Sequence, residues 1–190
     1  MRALYQWPGP QQRLKSKQGK PGNRFLPLLG ILLFGLSHCA LLLQKPARTP
    51  RFVFDTANVL SDIEALAIDA QLVDINQETG AEVVVLTILS TNGIPIEQYA
   101  SRKANDLGIG REGIDDGILL LIALKDRTVR IAVGRGLENT VTDIQARAIL
   151  NQRMLPEFRN GHFAAGLTRG IIRLKELIPL ANLPPPAAKK

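Results

Sequence analysis

The sequence predicts an α/β protein: a three-layer α/β/α sandwich with a mixed sheet of about four strands, preceded by an N-terminal transmembrane segment. Short apolar runs at 83–89 and 118–124 are typical of strands buried on both faces. Stretches with helical spacing alternate with them, and such helices cover both faces of a sheet. A separate uncharged apolar run lies near the N-terminus.

The basic character of the chain belongs to its N-terminal arm. The net charge is +7, yet nine of the 24 Lys and Arg residues precede residue 52 and all 17 acids follow it. The remainder is therefore close to neutral, which argues against nucleic-acid binding. A basic arm of this kind is typical of a targeting segment. The single cysteine excludes an internal disulfide.

The apolar run at residues 25–43 is long enough to cross a membrane, since 19 helical residues span about 28 Å. Six basic residues precede it, so the N-terminus is expected in the cytoplasm and the domain outside, in the periplasm of a Gram-negative cell. An uncleaved anchor is favoured. A cleaved signal peptide and a lipoprotein modified at Cys39 stay open, although His38 stands where a lipobox requires a small residue.

The chain divides into five segments. They are a basic cytoplasmic arm, the membrane segment, a short linker, an α/β domain and a Pro-rich tail predicted to be disordered. Their bounds are 1–24, 25–43, 44–51, 52–178 and 179–190.

The domain begins with a strand, a helix and a second strand. Residues 52–54 are a short apolar strand. Ser61 and Glu64 form a capping box that begins a helix, and Gly80 ends it. Residues 83–89 follow as a buried strand.

A second helix and a hairpin come next. Pro95 suits the first turn of a helix that ends at Gly108. Residues 118–124 and 129–133 are two strands joined by a short polar turn, which predicts a β-hairpin.

Two helices complete the domain. Thr142 and Gln145 form another capping box, opening a helix to about Asn151. A helical stripe of apolar residues covers 163–178.

The hairpin is expected to gather charged residues at one edge of the sheet, because the start of its first strand lies beside the end of its second. Asp115 and Asp116 precede the first strand, and Arg135 and Glu138 follow the second. Asp143 can join them from its helix. Carboxylates suit Ca²⁺ or Mg²⁺. Taken singly, each acid is better explained as a turn or helix-dipole residue.

Two other motifs lead to no site. Residues 108–113 spell a dinucleotide-binding glycine pattern, but that pattern requires a strand before it and a helix after it, and the order here is reversed. A tight or mobile glycine loop is the better interpretation. His162 is the only histidine after residue 51, and no cysteine accompanies it, which argues against a zinc site or a catalytic triad.

The domain resembles the TPM family, which includes thylakoid-lumen proteins of photosystem II repair and membrane-anchored bacterial proteins. The resemblance implies an α/β/α sandwich, export, divalent-metal binding by acids and an acid phosphatase activity. Asp55 and Asp116 occupy the family's acidic motif positions, while Leu107 replaces a Trp found in many relatives. The matching segments, which together span about 52–178, are 55–61, 107–110, 116–121, 126–134, 136–138 and 156–161.

The expected metal ligands are therefore Asp55, Asp115, Asp116, Glu138 and Asp143. Asp55 can join the others only if its strand runs towards the loop at 108–117.

Two function classes follow. The favoured one is a cation-binding interaction module that assists assembly or repair of a membrane protein complex, because no unmistakable nucleophile or general base is present. The alternative is a metal-dependent acid phosphatase, in which the cation polarises the phosphoryl oxygens and activates water. Arg111 or Arg135 would then hold the phosphate.

Overall fold

The structure, a computed structural model, describes Tyr5–Gln6 and residues 52–179. The predicted anchor at 25–43, the linker and almost all of the tail lie outside these residues. In the part that is described, no helix is both long and apolar enough to cross a bilayer.

Strands and helices alternate through the first half of the domain, and helices make up the end. The strands are β1 (Tyr5–Gln6), β2 (Val53–Asp55), β3 (Glu82–Ile88), β4 (Gly117–Ala123) and β5 (Thr128–Val133). The helices are α1 (Asp62–Thr79), α2 (Ile96–Asp106), α3 (Asp143–Ile149), α4 (Leu155–Arg159) and α5 (Phe163–Leu177). A 3₁₀ turn covers Arg135–Leu137, and a π-helical turn covers Leu150–Met154.

The sheet is mixed, in the order β1-β5-β4-β3-β2. Strands β2, β3 and β4 are parallel, and β5 runs antiparallel to β4. The predicted α/β class and the mixed four-strand sheet are confirmed for β2 to β5. Strand β1 adds a fifth, two-residue strand antiparallel to β5, in a segment that the sequence analysis had assigned to the basic arm.

The core lies at the centre of the sheet. Every residue of β4 is buried, and so is every residue of β3 after Glu82. Successive residues of a strand point to opposite faces, so seven consecutive buried residues mean that both faces are covered there. Helix α2 packs against β4 and β5, while α1 packs against β2, β3 and α5.

Both predicted capping boxes are confirmed. The Ser61 hydroxyl accepts from the Glu64 amide, and the Glu64 carboxylate accepts from the Ser61 amide. Thr142 and Gln145 make the same reciprocal pair. These side chains use amide groups that the first turn of a helix leaves without partners.

The helix predicted to end near Asn151 in fact continues to Arg159 by way of the π-helical turn. Pro156 explains the irregular turn. Its ring crowds the carbonyl four residues earlier and its nitrogen carries no hydrogen, so a wider turn just before it relieves the clash.

Asp126 ties the β4–β5 turn to the segment that follows β3. One carboxylate oxygen accepts from the Ser90 hydroxyl at 2.7 Å, and the other accepts from the Thr91 amide at 2.7 Å and hydroxyl at 3.0 Å. Burial raises the pKa of Asp126, but these hydrogen bonds outweigh it and hold the pKa below the ordinary value of 3.8. The ionised carboxylate therefore stabilises the carboxyl end of the sheet.

We expect Asp126→Asn to lower the free energy of unfolding at pH 7 by about 1 kcal/mol, because an amide oxygen replaces a charged acceptor. Because the pKa of Asp126 is lower in the folded protein, its ionised carboxylate contributes its full stabilisation above pH 3.8. This stabilisation is lost as the pH falls through the pKa of the folded protein. The difference from wild type should therefore shrink below pH 3.8. Urea unfolding of the full chain in detergent, at pH 7 and at pH 3, measures the loss of stability and its dependence on pH. Asp106→Asn, at an exposed site, is the matched control. A difference that does not depend on pH would refute this role for the charge.

Candidate functional site

A cleft of about 690 Å³ opens where β4 begins and β5 ends. One wall is the C-terminal half of α2, and another is formed by the 3₁₀ turn and the start of α3. Polar and charged side chains line it, among them Ser101, Asn105, Asp115, Arg130, Arg135, Glu138 and Asp143. It is the concave, polar region in which a ligand would be sought.

Two glycines allow the hairpin to bring these residues together. The Gly134 amide donates to the Gly117 carbonyl at 2.7 Å. A Cβ atom on Gly134 would lie 2.1 Å from the Asp115 carbonyl oxygen, so only glycine fits there. As a result the loop before β4 rests directly on the turn after β5. Asp115 lies beside Arg135, with 4.0 Å between the carboxylate oxygen and Nε, although both side chains are largely exposed.

Asp116 is held by Arg111 and does not face the cleft. Its side chain is completely buried. One of its oxygens accepts from the Arg111 amide at 2.8 Å, and the other accepts from the Arg111 Nε at 2.7 Å. The Gly110 amide donates to the Glu82 carboxylate at 3.0 Å. These contacts fix the loop of residues 108–116. They also pair Asp116, which was expected to bind metal, with Arg111, which was expected to bind phosphate.

Asp55 lies at the other end of the sheet, which corrects the expected five-acid site. It ends β2, opposite Thr87 at the end of β3, whereas Asp116 precedes β4. Because the three strands are parallel, the two acids are separated by roughly 20 Å along the strands. The Asp55 carboxylate accepts from the Val59 and Leu60 amides and from the Thr87 hydroxyl. It acts as a turn residue.

The remaining acids do not form a prepared metal site. Asp115, Glu138 and Asp143 line the cleft. Yet among residues 52–179 no three His, Cys, Asp or Glu side chains are grouped as a metal ion requires. Calcium takes six to eight oxygen ligands. The acids as placed therefore do not fit the metal that the family resemblance implies, and cation binding stays a prediction.

Arg130 was not among the predicted site residues, yet it lines the cleft with only 7% of its surface exposed. The sequence did contain an indication that Arg130 is unusual. It is the one charged residue within β5, and it stands opposite Leu121 in a strand predicted to be buried. Ser101 and Asn105 were missed as well, and nothing in the spacing of α2 distinguishes them from other exposed polar residues.

We expect Asp116→Asn to lower the free energy of unfolding by about 3 kcal/mol, because it leaves the Arg111 guanidinium beside a neutral group in a buried place. Calcium affinity should not change, since this carboxylate is not open to a cation. Urea unfolding and calorimetric Ca²⁺ titration of the full chain measure the two effects. Asp106→Asn is the control, because Asp106 is exposed and lies outside the cleft lining. A stable Asp116→Asn protein with weakened Ca²⁺ binding would restore Asp116 as a metal ligand.

Similar folds occur in solved structures. The N-terminal domain of a protein from P. gingivalis is 32% identical over 67% of this chain and 82% of its own, with a TM-score of 0.62. The BA42 protein of Bizionia argentinensis is 24% identical, covering 65% of this chain and 86% of its own, with a TM-score of 0.56. The N-terminal domain of cg2496 from Corynebacterium glutamicum is 15% identical, covering 78% and 93%, with a TM-score of 0.57. The last two show the fold alone.

No curated protein is significantly similar to the chain. The sequence model of the TPM domain, however, matches residues 53–177, which is nearly the whole of the described domain. Together with the P. gingivalis domain, this match confirms the resemblance inferred from the motifs. The chain belongs to the TPM domain family.

Proposed function

We propose that this TPM domain is an extracytoplasmic binding module that recognises another polypeptide during assembly or repair of a membrane protein complex. The observation that carries the proposal is the cleft at the end of the β4–β5 hairpin. It is large and polar, and its lining holds charges of both signs but neither His nor Cys. Such a surface can select a charged partner.

Hydrolysis is the weaker candidate because, among the described residues that line the cleft, no Ser or Thr hydroxyl is hydrogen-bonded to a carboxylate that could act as its base. The Thr142 hydroxyl is engaged with Gln145 in the cap of α3. Asp115 lies beside Arg135. A phosphatase here would need a metal ion to activate water, and the acids are not grouped for one.

One feature favours the phosphatase as second candidate. Arg130 and Arg135 both line the cleft. Arginine is well suited to holding phosphate by paired hydrogen bonds. The two arginines would bind the phosphate of a monoester.

We expect the purified full chain to show no turnover of p-nitrophenyl phosphate above background, with or without 5 mM Ca²⁺ or Mg²⁺ (about 10³ times the micromolar affinity of a calcium sensor site). We also expect a membrane protein to co-purify with the chain. Glu138→Lys with Asp143→Lys should abolish co-purification, because the changes reverse the charge of the cleft mouth. Glu112→Lys, exposed and outside the cleft lining, is the matched control. Metal-dependent turnover that Arg130→Lys lowers would instead establish the phosphatase.

We propose that residues 25–43 hold the domain at the membrane with the N-terminus in the cytoplasm. The apolar run and the six basic residues before it support this orientation. An alkaline phosphatase reporter fused after residue 60 should be active, and a cytoplasm-dependent fluorescent reporter at that position should be dark. The reverse pattern would overturn the topology.

A further inference from the structure

We propose that the outer edge of β5, with the cleft beside it, takes an extended segment of a partner polypeptide by strand addition. A basic side chain of that segment would lie at the acidic end of the cleft. The inference rests on the proposed function and deepens it, since it names the surface and the chemistry of the partner.

The outer edge of β5 is largely uncovered by other strands. On one side β5 pairs with β4 along all six of its residues. On the other side, within the described part of the chain, only Tyr5–Gln6 pairs with it, at Val129 and Thr128. Among the residues that the structure describes, no strand lies beyond the stretch 130–133. An edge of this kind is a template for another extended chain.

The ladder shows which peptide groups face outward. The Gly134 amide donates to the Gly117 carbonyl, so the Gly117–Gly134 pair is a hydrogen-bonded one. Hydrogen-bonded and non-hydrogen-bonded pairs alternate along an antiparallel ladder. The peptide groups of Val129, Ile131 and Val133 therefore point away from β4. A guest strand would bond to these three residues.

Strand β1 shows how a guest strand can lie. Tyr5 stands opposite Val129 and Gln6 opposite Thr128, in antiparallel pairing. Strand β1 pairs with only two of the six residues of β5, so a longer segment of another chain could displace it and occupy the whole edge. A segment that continues the register towards Gly134 would run beside the cleft, because all residues from Arg130 to Arg135 line it.

The charges at the cleft mouth favour a basic guest. Asp115 and Arg135 largely offset each other at 4.0 Å. Glu138 and Asp143 are exposed and also line the cleft, and with Arg130 counted the lining carries three acids against two arginines, a net charge of −1. A Lys or Arg that arrives there gains favourable Coulomb energy, while an acidic residue is repelled.

The test uses a labelled peptide with the sequence of residues 1–8, since Tyr5 and Gln6 set its register and Arg2 would then stand opposite Ala132. Its binding to the full chain in nanodiscs is measured by fluorescence polarisation. Val133→Pro should weaken binding at least tenfold, because it removes an outward amide and leaves the bonds to β4 intact. Val133→Thr keeps that amide and should bind like wild type. A peptide with Glu in place of Arg2 should bind more weakly than the original.

Hydrogen exchange provides a second measurement that needs no variant: bound peptide should slow exchange of the Ile131 and Val133 amides. Equal binding by Val133→Pro and Val133→Thr, or unprotected amides at saturating peptide, would overturn strand addition. Absence of any peptide binding would overturn it too. Co-purification of the membrane partner with Val133→Pro would then show that the proposed function survives without this edge, whereas loss of all co-purification by wild type would remove the proposed function itself.

Discussion

Strand β4 lies between a parallel and an antiparallel neighbour, and the rest of the domain is arranged around that difference. Its seven residues are all buried, with β3 on one side and β5 on the other. A parallel neighbour is reached through a helix, and an antiparallel one through a tight turn. The connection to β5 therefore lies at the carboxyl end of β4, where Asp126 fastens it. The opposite end receives the 108–116 loop and the turn after β5, and there the cleft forms.

A buried ion pair holds the loop beside the cleft in shape. Removing Asp116 and Arg111 from water is costly, and the cost is offset because the carboxylate accepts from both the backbone and the side chain of Arg111. With the loop fixed in this way, the part of it that lines the cleft would lose little conformational entropy if a partner bound there. Preorganisation of this kind raises affinity by lowering the entropy lost on binding.

Features formed by residues close in the chain could be predicted from the sequence. The positions of residues brought together from distant parts of the chain were harder to predict. The two capping boxes and the β4–β5 hairpin depend on residues close in the chain, and all were predicted. The position of Asp55 depends on the direction of β2. Neighbouring strands joined through a helix are usually parallel, and that arrangement places Asp55 at the opposite end of the sheet from Asp116. The burial of Asp116 against Arg111 and the pairing of Tyr5–Gln6 with β5 leave no periodic signal.

The sequence of β5 shows how well its outer edge, which only β1 covers in the described part of the chain, is protected against pairing with another strand. Proteins usually protect an edge strand with proline, a bulge or inward-pointing charges, since a bare edge invites aggregation. Thr128–Val133 reads TVRIAV, which has no proline and is rich in β-branched residues. Its one charge, Arg130, is buried, and an inward-pointing charge is itself one of these protections. Within the described part of the chain, the edge at 130–133 therefore has neither proline nor a bulge, and Arg130 is the protection that it keeps, at the place where a polar cleft adjoins it. If a partner strand covers this edge as proposed, the charges at the cleft mouth would restrict which strand it is.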